Sequence, residues 1–130
     1  MPALRLRLDD NGLEELEIGG ERSKLSRGGF PSTLGAMGDP DLRSIQLDPE
    51  RTYLSEAPYG SMDPAERLEL LDAEGIDAAV LYTTVGLLWE AELTDPELSQ
   101  AYTRAYNRWI CEFCSGSPRL VPTAHLSLSD

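Results

Sequence analysis

Cys111, Cys114 and His125 are the side chains in this sequence with the greatest capacity for chemistry. Cys111-Glu112-Phe113-Cys114 is a CxxC pair. Redox enzymes place such a pair at a helix N-terminus, where the dipole and free N–H groups stabilise a thiolate. The spacing of apolar residues puts this pair in the last turn of a predicted helix, where the partial charge is negative and ionisation is disfavoured. As half of a zinc site it would need two further ligands, and the sequence holds one histidine. Structural or incidental cysteines are therefore the expectation. His125 must carry any imidazole mechanism. It falls on a predicted strand in phase with Thr123 and Ser127 and out of phase with Leu126 and Leu128. On a barrel strand one of those phases faces the lumen. A hydrogen-bonded buried histidine, or one exposed on a partial fold, is the commoner outcome and is favoured here.

The carboxylates offer less. Asp77 interrupts an apolar run, and a buried carboxylate there must meet a cation or a helix N-terminus. Asp9-Asp10 and Asp39-Pro40-Asp41 lack calcium-loop spacing and read as solvated turns. The sequence has no G-x-G-x-x-G, phosphate loop, H-E-x-x-H or G-x-S-x-G. No catalytic residue, cofactor-binding residue or metal ligand is assigned from the residues themselves.

The elements that must position these side chains come from a chain of 130 residues, room for one hydrophobic core. Its 41% apolar content suits a folded protein. The 23 acidic against 11 basic residues leave a net charge of −12, which repels nucleic acid and anionic lipid. No apolar run approaches the roughly 20 residues of a membrane helix. The opening Met1–Arg7 has no signal-peptide core, so a reducing cytoplasm is expected.

Leu4, Leu6 and Leu8 alternate with Arg5 and Arg7, the period of a half-buried strand. Asn11-Gly12 supplies a tight turn and residues 13–18 a return strand, giving a β-hairpin over about residues 3–18. A short helix over 13–18 is the alternative, and it is too brief to nucleate well. Residues 21–60 carry turn-forming residues with no sustained period and read as a long loop or insertion. Asp63-Pro64-Ala65-Glu66 then starts a helix with a capping-box pattern, and Gly75 stops it. Ile76–Tyr82 is nearly continuous apolar sequence, as in a strand buried on both faces.

Thr94-Asp95-Pro96-Glu97 opens a second helix to about residue 114, with Leu98, Ala101, Tyr102, Ala105, Trp109 and Phe113 as its apolar face. Residues 120–128 read as a further strand. Helix, strand, helix, strand implies parallel strands joined by crossovers. The organisation expected is an N-terminal hairpin and variable segment over 1–60, then α/β units over 61–130.

Several runs within residues 63–130 resemble the amidohydrolase-related family called amidohydrolase 2, which includes aminocarboxymuconate-semialdehyde decarboxylase. They are Asp63-Pro64-x-x-Arg67-Leu68, Leu71-Asp72-x-Glu74-Gly75-Ile76-Asp77, Ala79-Val80-Leu81-Tyr82, Thr84-Val85-Gly86 and Asp95-Pro96-Glu97-Leu98. Ala105-Tyr106-Asn107-x-Trp109, Glu112-Phe113-Cys114, Pro118-Arg119-Leu120 and Leu126-Ser127-Leu128-Ser129-Asp130 complete them. The resemblance implies an α/β fold, a partial (β/α)8 TIM barrel of about two strand–helix units. It also implies metal-dependent hydrolysis of C–N or C–O bonds, or non-oxidative decarboxylation, of a small-molecule substrate with a divalent metal, commonly zinc. The family opens with H-x-H or E-x-H on its first strand. Residues 1–60 contain no histidine, and His125 falls on an early strand where the family places no ligand. No family ligand carries over, and tight metal retention is not expected.

A complete barrel needs about 250 residues. The expectation is an N-terminal fragment of such an enzyme, inactive by itself. The alternative is an acidic, non-catalytic interaction module built from half a barrel, with a homo-oligomer among its forms. A CxxC redox protein is the third reading.

Overall fold

A computed structural model of the chain describes residues 4–35, 47–84 and 86–127. They belong to two units, Met1–Pro58 and Tyr59–Asp130, and the fold is mixed α/β.

The alternation of leucine and arginine does make a hairpin. β1 (Arg5–Leu8) and β2 (Glu14–Ile18) pair antiparallel, with Leu6 opposite Leu16 and Arg7 opposite Glu15. β3 (Glu21–Arg22) adds a short third strand beyond β2, so β1 is an edge among the described residues. Two expectations need correction. The turn is not a tight Asn-Gly turn with two left-handed residues, since only Gly12 has positive φ, +80°. Asp9 organises it instead: its carboxylate accepts from the N–H groups of Asn11 (2.8 Å) and Leu13 (2.9 Å), an Asx arrangement. Nor is β1 half-buried, because all four of its residues are exposed.

The burial lies on β2. Glu15 is 1% exposed, and Arg22 meets its carboxylate with Nε and Nη2 at 2.6 and 2.9 Å while Arg7 Nε stands 3.2 Å away. That bidentate geometry is the one that offsets carboxylate desolvation.

Residues 21–60 are not structureless. After β3 the chain folds back on β2: Ser26 Oγ accepts from Leu16 N–H, and Ser23 N–H donates to Leu16 carbonyl. α1 (Phe30–Gly35) and α2 (Tyr53–Glu56) follow. Thr52 caps α2 in a reciprocal box with Ser55, and Glu14 accepts from Tyr53 N–H. Asp39 and Asp41 lie outside the described residues.

In the second unit the local signals act as expected, with small shifts. Asp63 caps α3 (Pro64–Glu74), accepting from Ala65 and Glu66 N–H, and Gly75 ends it at φ +68°. Glu66 turns its carboxylate to Gly60 N–H rather than back to Asp63. Asp95, not Thr94, caps α5 (Pro96–Cys114).

β4 covers Ala79–Leu81 and β5 Leu120–Pro122, and they pair parallel with Ala79 opposite Leu120. Both are shorter than expected, and β4 is not buried on both faces. Ala79, Leu81 and Leu120 join the core of Leu71, Ile110, Phe113 and Cys114, while Val80 and Val121 are 52% and 41% exposed on the opposite face. Asp77 precedes β4 and is exposed rather than buried. Arg119 binds its carbonyl with Nε, the Ile76 carbonyl with Nη2 and the Asp72 carboxylate with Nη1, all within 2.9 Å. One guanidinium thus fixes the end of α3 to the start of β5.

The sequence pattern also missed α4 (Gly86–Glu92). The face of α5 that is buried is Ser99, Thr103, Ile110, Phe113 and Cys114, rotated from the expected stripe, and Trp109 stays 48% exposed. Among the described residues no helix is long and apolar enough to cross a membrane.

Candidate functional site

The polar side chains gather where the parallel strands end. α4 follows β4 and carries Trp89 and Glu90; the segment after β5 carries His125 and Ser127; α5 supplies Ser99, Tyr102, Tyr106 and Asn107. Gly86 permits the first of these placements. A methyl group there would meet Trp89 ring carbons at 2.7 Å and Thr83 Oγ1 at 2.2 Å, so only glycine lets the indole fold back on its own helix start.

His125 does not sit on a strand, because β5 stops at Pro122 and the chain reaches His125 in irregular backbone. It does not extend the open sheet face. Its ring is buried among aromatic edges, with centroids 5.2 Å from Trp89 and 6.3 Å from Tyr106, both T-shaped. Trp89 in turn meets Tyr102 and Tyr106 edge-on. Asn107 holds the backbone on both sides. Its Oδ1 accepts from His125 N–H at 2.8 Å and its Nδ2 donates to His125 carbonyl at 2.9 Å. The complementary amide fixes residue 125 as a strand neighbour would.

The imidazole Nε2 stands 3.2 Å from Glu90 Oε1. The same oxygen accepts from Ser99 Oγ at 3.1 Å, and Ser99 Oγ lies 2.9 Å from Ser127 Oγ. Glu90 is therefore the hub that joins α4, α5 and the segment after β5. This is not a nucleophilic triad. Ser99 donates to the carboxylate, so its hydroxyl proton is directed at Glu90 and not at His125. Trp89 Nε1, Thr103 Oγ1 and Tyr106 OH are buried without a hydrogen-bond partner beside this network. Burial pushes the Tyr106 phenol up, with a smaller contribution from Cys114.

No protein-family model matches the chain, and no curated protein sequence matches it. What the cluster does must be argued from its own donors. A metal of the kind the family resemblance implies does not fit them. Zinc in enzymes takes three or four protein ligands, and no group of three or more His, Cys, Asp or Glu side chains stands together among the described residues. Glu90 and His125 are a pair whose remaining contacts are hydroxyls and aromatic edges.

The CxxC pair lies in the last turn of α5, as its spacing predicts. Both thiols are free; Cys111 is exposed and Cys114 buried. Burial, and then Cys111, push the Cys114 thiol above its ordinary value, and the pair lies at the negative end of the α5 dipole, where a thiolate is disfavoured. Sequence reasoning found His125 and missed Glu90, Trp89 and Asn107. The Asn107 and Trp109 neighbourhood stood in the family-like run, but nothing local announced that Asn107 would clamp a residue 18 positions away.

Proposed function

We infer that residues 59–130 form two consecutive strand–helix units of a metal-dependent amidohydrolase-type barrel. Such an enzyme hydrolyses C–N or C–O bonds, or decarboxylates without oxidation, and this segment acts as scaffold while the metal ligands come from elsewhere. The observation that carries the reading is the parallel pairing of Ala79–Leu81 with Leu120–Pro122 across α4 and α5, with one sheet face packed on α5 and the other open. Parallel sheets occur with both faces covered, so the bare Val80 and Val121 face is that of an incomplete sheet. Arg119 and the Glu90–His125 hub then serve the scaffold at opposite ends of the strands. The two free thiols support a reducing, cytoplasmic setting.

The same bare face favours a second reading, an acidic interaction module whose partner completes the sheet. Two measurements separate them. Genomic sequence flanking the reading frame that continues in frame, with His-x-His upstream and further histidines downstream, supports the enzyme reading. Unrelated genes on both sides, with a monodisperse oligomer of the purified chain, support the module. Stoichiometric, tightly held zinc in the purified chain, measured by plasma mass spectrometry, would sink the claim that the ligands lie elsewhere.

A further inference from the structure

The hairpin of the first unit offers an edge whose side-chain pattern specifies what could pair with it. β1 pairs with β2 alone, and its other edge has no strand neighbour among the described residues. All four of its residues are exposed, and Leu4, Leu6 and Leu8 keep 37%, 41% and 60% of their surface in water. Alternation puts Leu6 and Leu8 on one face and Arg5 and Arg7 on the other. Most proteins shorten, charge or cover such an edge, because it is a template for another strand.

The neighbour that β1 already has shows what it accepts. Arg5 stands opposite Glu17, Arg7 opposite Glu15, Leu6 opposite Leu16 and Leu8 opposite Glu14, so acid and aliphatic alternate over Glu15–Ile18, and Arg7 reaches the carboxylates of Glu15 and Glu17 at 3.2 and 3.7 Å. We propose that the free edge of β1 docks an extended strand of a partner protein in which acidic residues alternate with aliphatic ones, repeating the pattern of β2. Acidic side chains then lie beside Arg5 and Arg7, and aliphatic ones cover Leu6 and Leu8. A basic strand meets two arginines and is repelled. A second copy of β1 is a poor occupant for the same reason: the antiparallel register centred on Leu6 sets Arg5 against Arg7 of the other copy. The net charge of −12 slows encounter with an acidic partner, so attachment rests on the local arginine pair and the leucine surface.

The test uses the full chain, labelled for amide NMR, and two short synthetic peptides. One alternates glutamate with leucine and valine; the other replaces each glutamate by lysine. The glutamate peptide is expected to shift the amides of residues 4–8 in a saturable way, and the lysine peptide to leave them unmoved. Arg5→Gln, at an exposed position, is expected to weaken the glutamate peptide about threefold while the remaining amide spectrum is retained. Equal response to both peptides, no response to either, or shifts centred outside the hairpin would overturn the proposal. So would a concentration-dependent dimer by light scattering whose protected amides are those of β1, which would assign the edge to a second copy.

Discussion

The two units bury different kinds of side chain. Among the described residues of Met1–Pro58 the most enclosed groups include Glu15, Ser23, Ser26 and Pro31, with Leu16 and Ile18 the buried aliphatics. In Tyr59–Asp130 they include Leu71, Trp89, Ile110, Phe113 and Leu120. The first is tied by a carboxylate with two arginines and by serine hydroxyls that take the place of strand partners. The second is held by apolar packing between α3, α5 and the β4–β5 sheet. Ion pairs near the surface weaken with salt and with either partner's loss. An apolar core has no charge for salt to screen and is sensitive to volume. One chain therefore carries two separable modes of stabilisation.

Emptying the apolar core gives the largest expected effect. Phe113→Ala should cost about 3–5 kcal/mol. Both tryptophans, Trp89 and Trp109, lie in the second unit, so tryptophan fluorescence in a urea titration reads that unit alone. Loss confined to amides of residues 59–130 keeps the comparison; loss of the hairpin amides as well breaks it.

Gly86→Ala should cost about 1–3 kcal/mol, because the added methyl displaces Trp89 from the His125 cluster. The same variant should move the His125 ring resonances, whereas a purely helical effect would leave them in place. Asp63→Ala and Asp95→Ala should each cost about 1 kcal/mol, as removal of an N-cap does, with little change at the hairpin.

The thiols sharpen the contrast within α5. Iodoacetamide at mildly alkaline pH should label Cys111 first and Cys114 slowly, followed by mass spectrometry. The sign follows from burial: the folded Cys114 thiol holds its proton above the pH at which the unfolded one releases it, about 8.5. Stability is unaffected below that value and falls as pH rises through it. Matched fast labelling of both thiols would contradict the burial of Cys114 against the α5 core. The smallest effect belongs to the first unit. Added salt should lower the stability of the hairpin amides by hydrogen exchange, and Glu15→Gln should remove most of that salt dependence.

Helix ends were legible in the sequence because a cap is a contact between residues two or three positions apart. Asp63-Pro64, Gly75 and Asp95-Pro96 needed no tertiary partner to act. The hairpin was legible from the alternation of Leu4 to Leu8, and the parallel order of β4 and β5 from helices intervening between apolar runs. Among the functional residues, His125 was singled out, though on the wrong element; the structure chose the buried, hydrogen-bonded imidazole over the exposed one.

What tertiary structure alone decided is non-local. Spacing names a helical face only to within about one residue's rotation, roughly 100°, and the choice of Ile110 over Trp109 for the interior of α5 came from where Leu71 and Leu120 lay. Asp77 and Val80 sit in an apolar run that reads as buried on both sides, yet cover existed for one side of β4. Nothing in the return strand singled out Glu15 for burial; Arg7 and Arg22, arriving from neighbouring strands, decided it. Sequence fixes what short stretches of backbone prefer; burial depends on which distant surfaces meet, and that is a property of the folded chain.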